Sequence, residues 1–163
     1  MGNLMGFRCV RRSRSRDVYR NLKNIENATL NVGWFDAKYE DGTPVSLVAM
    51  VQEFGSPEKN IPPRPFMRPA KMEHAQEWKE QFEKAAKNLH KGRKSEEDIM
   101  NELGDQIISD IRQSIVDVNF PPLKLETLKA RRRKGNYSEK PLIDTKRMFD
   151  TLEKRVEMKG RRK

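Results

Sequence analysis

GWFDAKYEDGTPVSLVAMVQEFGSPEKNIPPRPFMRPA, residues 33–70, is the stretch whose reading decides the fold. It reads as the end of a strand, a charged loop, a short apolar helix stopped at Gly55, and a proline-stiffened arm. The arm, Ile61 to Pro69, holds four prolines in nine residues. Proline lacks the N–H and clashes with the turn behind it, so the arm cannot lie inside a helix. Each proline also drives its predecessor toward extended backbone. The arm is therefore expected to hold Phe66 and Met67 in fixed positions ahead of the next helix.

Upstream, Thr29 to Phe35 alternates. Leu30, Val32 and Trp34 face one way and Thr29, Asn31 and Gly33 the other, the period of a strand. Asp41-Gly42 marks a turn. Thr43 is then placed as helix N-cap with Pro44 at the first helical position. Leu47, Val51 and Phe54 form one stripe; Val45, Val48, Ala49 and Gln52 form its neighbour. A helix apolar over so much of its circumference is buried or covered by a neighbour.

Downstream, Pro69 can open a helix whose stripe is Ala75, Trp78, Phe82, Ala85 and Leu89, ended by Gly92. Ser95 with Glu96, Glu97 and Asp98 begins another. Its stripe is Met100, Leu103, Ile107, Ile111, Ile115 and Val118, widened by Ile99 and Ile108. The short connection predicts an antiparallel pair. Leu123, Leu125 and Leu128 allow a short helix leading into the cluster at 129–134. Asp144 or Thr145 can cap a last short helix holding Met148 and Phe149. Leu152, Lys154, Val156 and Met158 share one face of a final strand, which pairs with the first. The expected class is α+β: a small antiparallel sheet packed with several helices, a long antiparallel helix pair among them.

At 163 residues the chain suits one domain. The expected division is a basic arm over 1–15, a domain over 16–159 with a first helix near 16–25, and a basic tail over 160–163. Hydrophobic residues make up 35% and charged residues 36%, so the core is lean for this length. Exposed tails, an elongated shape, or apolar surface completed by partner subunits would account for that. No apolar run approaches the ~20 residues of a membrane span, and no secretory signal is expected. Cys9 is the only cysteine, which excludes an intrachain disulfide and points to a reducing compartment.

The net charge of +10 is uneven. Residues 1–20 carry +5, residues 121–163 carry +9, and the middle carries −4. Such ends are either solvated or in contact with something anionic, nucleic acid or the acidic faces of proteins. The residues assigned to that contact are Arg8, Arg11, Arg12, Arg14, Arg16, Lys129, Arg131, Arg132, Arg133 and Lys134, with Arg161 to Lys163 added at the end. They lack interleaved aromatics, so contact with nucleic acid would be to phosphates, nonspecific and salt-sensitive.

Little points to catalysis. His74 and His90 lie sixteen residues apart on one expected helix, about 24 Å, too far to share a metal. Asp36, Glu40 and Asp41 could bind a cation in their loop only with further ligand positions, and these are missing. Asp105 and Asp110 are read as solvated. No phosphate-binding loop, dinucleotide fingerprint, zinc-protease motif or nucleophile elbow occurs. No enzymatic activity and no cofactor are expected.

Two stretches carry a resemblance. One runs from Val48 through Glu53-Phe54-Gly55-Ser56 to Ile61-Pro62-Pro63-Arg64-Pro65-Phe66-Met67-Arg68-Pro69-Ala70. The other is Pro141-Leu142-Ile143-Asp144-Thr145-Lys146-Arg147-Met148. In order and spacing, over roughly 28–158, they resemble the neck and tail-completion proteins of tailed bacteriophages: Mu-like virion morphogenesis proteins and the lambda-like minor tail protein Z group. Lys146 stands where that pattern has glycine, and the basic ends fall outside it.

The resemblance implies a structural virion subunit, assembled in the host cytoplasm, forming a ring at the head–tail junction. A hexamer is preferred and a dodecamer possible. Its partners would be the head connector or adaptor on one side and the tail terminator or tail tube on the other, with DNA crossing the lumen. Docking between subunits is expected at Ile61, Pro63, Arg64, Pro65, Phe66, Met67 and Arg68, with Phe66 filling a neighbour's apolar pocket and the arginines pairing with carboxylates. The rival readings are a nonspecific nucleic-acid-binding protein without a ring and, more weakly, a small metal-dependent nuclease.

Overall fold

In the computed structural model the two strands close the domain on itself. The described residues are 28–87, 89, 94–118 and 121–158. The expected helix over 16–25, the arm over 1–15 and the tail over 160–163 lie outside them. β1 (Ala28–Gly33) pairs antiparallel with β2 (Glu153–Met158), Ala28 opposite Met158 and Gly33 opposite Glu153. Between them come α1 (Val45–Phe54), α2 (Met67–Lys87), α3 (Glu96–Asp117), α4 (Leu125–Arg133) and the single turn α5 (Arg147–Asp150). The α+β class holds.

β1 stops two residues earlier than Phe35. Trp34 turns inward instead, and its Nε1–H donates to Met148 O at 2.8 Å. Its ring meets Phe66 edge-on, 5.9 Å between centroids. Around this pair pack Val45 and Ala49 of α1, Ala70 of α2, and Ile108, Ile111 and Ile115 of α3. Leu142, Met148 and Leu152 complete the core from the C-terminal segment. α3 comes close to the sheet at Gly104. A Cβ there would stand 2.6 Å from Lys154 Cδ and 3.1 Å from Leu30 Cδ1. The Lys154 ammonium reaches past this point to Asn101 O at 2.7 Å and Asp105 Oδ2 at 2.5 Å. Asp105, read as solvated, is exposed and pairs there with the Lys154 ammonium.

α2 and α3 form the long pair. Trp78 Nε1–H donates to Asp110 Oδ2 at 2.7 Å, while Phe82 and Ala85 lie opposite Leu103 and Ile99 across a shallow cleft. Residues later in α2 meet residues earlier in α3, so the pair is antiparallel. Ser95 caps α3, accepting from the Asp98 N–H while Asp98 accepts from the Ser95 N–H. Both orphan donors are thereby satisfied in one reciprocal box. Leu89, Ile99 and Met100 are buried apart from the main core, at the far end of the hairpin. Elsewhere α2 is half-buried at best beyond Ala70, and Ala75 of the expected stripe is exposed.

Three helix starts move. α1 begins at Val45, with Pro44 in extended backbone at the cap position, φ −61° and ψ 133°. Thr43 is therefore not the cap; its N–H donates to Asp41 Oδ1 at 2.9 Å. α2 begins at Met67, two residues before Pro69. Lys146, rather than Asp144 or Thr145, precedes α5, although Thr145 Oγ1 accepts the Arg147 N–H at 3.4 Å.

Gly55 is required where α1 meets the arm. Its φ is +78°, and a Cβ would come within 2.9 Å of both Ile61 O and Pro63 N, which are backbone atoms with no room to yield. The loop is closed there by the Ser56 N–H to Ile61 O and the Ile61 N–H to Ser56 O, 2.8 and 2.9 Å. Gly55→Ala is expected to cost about 2–4 kcal/mol, from backbone strain plus overpacking, as a lowered urea midpoint at unchanged m-value.

Candidate functional site

The proline arm lies against α1 and is fastened by one carboxylate. Val45, Ala49 and Glu53 recur every four residues, so they share the inward face of α1, and Glu53 is only 4% exposed. A charge on that face must find donors. Glu53 Oε2 accepts the N–H groups of Phe66 and Met67 at 2.7 and 3.0 Å. Oε1 accepts the N–H of Arg68 at 3.1 Å and its Nε–H at 2.8 Å. Arg68 Nη2 adds a bond to Glu53 O at 2.9 Å.

These bonds cap α2. A helix leaves its first N–H groups without internal partners and favours negative charge at its start. Here Met67 and Arg68 are served by Glu53, Pro69 has no N–H, and the Ala70 N–H reaches Phe66 O at 3.3 Å. The odd position of Pro69 in the third helical place is thus harmless. Ser114 Oγ on α3 also donates to Phe66 O, at 2.7 Å.

Arg64 and Arg131 act similarly on backbone oxygens. The Arg64 N–H donates to Gln52 O at 2.6 Å, and its Nε and Nη2 donate to Pro121 O and Pro122 O at 3.0 and 3.4 Å. Arg131 is 7% exposed. Its Nη1 donates to Ser138 O, Lys140 O and Ile143 O, and its Nη2 to Pro141 O, at 2.8–3.2 Å. One guanidinium thereby shapes the turn that carries Pro141 to Lys146. Lys146 keeps that turn tight by adopting the left-handed conformation itself, φ 58°.

These placements correct the expected docking set. Phe66 is fully buried in its own chain's core, so it does not fill a neighbour's pocket. Arg64 is buried on carbonyls of its own chain and pairs with no carboxylate among the described residues. Ile61, Pro65 and Met67 are half-buried; Pro63 and Arg68 face solvent, the latter committed to Glu53. The basic cluster also splits. Arg131 is an internal clasp and not a surface contact, whereas Lys129, Arg132, Arg133 and Lys134 are exposed, with Arg132 3.1 Å from Glu139. Arg8, Arg11, Arg12, Arg14 and Arg16 lie outside the described residues, as do Arg161 to Lys163.

What does face outward is the far side of α1. Leu47, Met50 and Phe54 are 45%, 54% and 63% exposed and fall on one stripe, with the Arg68 guanidinium 5.0 Å from the Phe54 ring centre. Met72, Leu125 and Tyr137 are also exposed, but they sit singly on other elements. Isolated apolar residues are ordinary on surfaces; a stripe on one helix is the informative case. The expected stripe of Leu47, Val51 and Phe54 shares two residues with it, and exposed Met50 takes the place of half-buried Val51. Which face turns inward is set by Glu53, whose buried carboxylate is a cap that periodicity alone does not reveal.

Among the described residues no group of His, Cys, Asp and Glu side chains is arranged to hold a metal ion, and no helix is long and apolar enough to cross a membrane. No family model, curated protein or solved structure matches the chain.

The Glu53 carboxyl is pulled two ways. Burial raises its pKa, but the hydrogen bonds from Phe66, Arg68 and Met67 outweigh this and hold it below its ordinary 4.5. The unfolded chain therefore takes up a proton before the folded one does. The resulting stabilisation is full above about pH 4.5 and is lost as pH falls through the lower folded value. Glu53→Gln is expected to cost roughly 1–3 kcal/mol at neutral pH and to flatten this acid-side dependence in urea titrations between pH 3 and 7. Phe66→Ala is expected to cost about 3–5 kcal/mol. An unchanged melting temperature in that variant would contradict the core position of the ring.

Proposed function

We propose that this chain is a structural subunit of the head–tail junction of a tailed bacteriophage, a neck or tail-completion protein that works as a ring. The observation that carries the reading is the exposed apolar stripe of α1, held on a frame built from the two stretches that resemble that family. Glu53 joins the first helix to the RPFMR segment. Arg131 fixes the PLID turn. Trp34 connects the two through Phe66 and Met148 O. A rigid frame presenting Leu47, Met50 and Phe54 suits subunit contact, because ordered side chains lose little freedom on docking. The docking surface thus moves from the arm to the helix that the arm buttresses. No catalytic role is proposed.

The expected virion setting is unchanged: ring copies of this chain, with the head connector or adaptor and the tail terminator or tail tube on either side. Particle size separates this from its rival. Purified protein, alone and mixed with tails, should give large particles or join the tails in light scattering. Met50→Glu and Leu47→Glu should fold within about 0.5 kcal/mol of the parent and yet fail to assemble. Normal assembly by both variants would exclude α1 as the contact.

The second reading, nonspecific nucleic-acid binding, is favoured by the exposed Lys129, Arg132, Arg133 and Lys134 on and just after α4. It calls for a monomer or dimer whose DNA affinity falls steeply with salt.

A further inference from the structure

A cavity of about 430 Å³ opens between the β1–α1 loop, the end of α4 and the turn at 141–148. The junction reading leaves it unused. Its base is apolar, from Val48 on α1 and the buried Leu142 and Met148. Its walls carry four cations against two carboxylates.

Both carboxylates are already occupied. Asp41 accepts the Thr43 N–H at 2.9 Å. Asp144 accepts from Asn136 Nδ2 at 2.6 Å and lies 3.4 Å from Arg131 Nε. The cations are less well satisfied. Arg131 Nε–H is buried without a hydrogen-bond acceptor. Among the described residues, the ammonium groups of Lys134 and Lys146 have no partner. Behind the wall, the buried Arg64 guanidinium touches Gln52 Oε1 at 3.5 Å and, unlike Arg131, has no carboxylate among the described residues. Burial, and then the charge of Arg131, lower its pKa, so a second guanidinium charge lies behind this concave surface.

Lys146 adds a second kind of evidence. At φ 58° and ψ 0° it occupies backbone space that glycine enters freely and lysine enters at a cost of about 1–2 kcal/mol. The conformation that keeps the turn tight also sets the side chain at the cavity. Here it places a cation on the lining.

We propose that this cavity receives an acidic segment of a partner polypeptide, with one apolar side chain on the Val48, Leu142 and Met148 base and carboxylates against Lys134 and Lys146. Peptide fits better than nucleic acid for two reasons. The apolar base of Val48, Leu142 and Met148 takes an aliphatic side chain, which nucleic acid lacks, and the one ring in the lining, Tyr39, is half-buried. The inference stands whether or not the chain works in a virion.

The test uses the full chain labelled with ¹⁵N and a defined probe, the acetylated, amidated peptide Glu-Leu-Glu-Glu. Amide signals of Tyr39, Val48, Lys134, Leu142 and Lys146 should shift together as peptide is added. Lys146→Gly removes the charge and the strain at once. It should melt at the same temperature as the parent or higher, while binding the peptide about three- to fivefold more weakly. Lys134→Glu should weaken binding further. Three results would overturn the proposal: no shifts at these amides, unchanged affinity in Lys146→Gly, or tighter occupancy of the site by inorganic phosphate or oligothymidine than by the peptide.

Discussion

One buried carboxylate organises this molecule. Glu53 ends the inward face of α1 and is also the cap of α2, so two helices thirteen residues apart share a single ion. Everything between them is constrained to close that distance. Gly55 supplies the backbone turn that only glycine enters without strain, and the prolines stiffen the return path. Phe66 is then delivered to the ring of Trp34 at an edge-on angle. Ser114 joins α3 to the same carbonyl from the other side. Loss of the charge would leave N–H donors buried at the helix start and Arg68 without its partner. Such penalties exceed the net worth of any one of these bonds.

The lean core has a related explanation. The chain has little apolar surface to spend on its irregular connections, and it fastens them with guanidinium groups. Arg64 holds the turn at 121–122, Arg131 the turn at 138–143, and Arg112 reaches Phe149 O at 3.1 Å while lying 5.3 Å from the Phe149 ring centre. Arginine suits this task because its planar fork carries five donors and stays charged at all relevant pH. Lysine, with one rotating ammonium, could not span the four carbonyls that Arg131 serves. Part of the high charge content is therefore internal fastening. A count of basic residues overstates what is free for a partner.

This is also where the sequence misled. The sheet pairing, the antiparallel long helices and the cap at Ser95 were legible, because each rests on local periodicity or a local capping signal. The roles of Phe66, Arg64 and Arg131 were not. A proline-rich arm reads as a projection when its docking site on α1 is unknown, and an arginine in a basic run looks the same whether it faces solvent or carbonyls. The missing signal was Glu53. Val45, Ala49 and Glu53 at spacing four place a carboxylate on an apolar face, and only a set of buried donors makes that tolerable. The extended segment that follows is the nearest source of donors. From there, the seat of the arm and the burial of Phe66 would have followed.

The same spacing argument divides the circumference of α1. Residues 45, 49 and 53 face the core, 48 and 52 line the cavity, and 47, 50 and 54 form the exposed stripe. Sequence alone required this helix to be buried or covered, because no side of it is polar enough to be left in water. The fold covers one third. The other two thirds differ in character: one borders cations in a concave wall, and the other is convex and apolar with Arg68 at its edge. A partner covering both would need carboxylates beside apolar side chains, whereas a partner covering only the stripe would need no charge at all. Half-buried Val51 lies between the two faces, so the surface is continuous around the helix. The greater part of α1's circumference therefore lies outside the chain's own core.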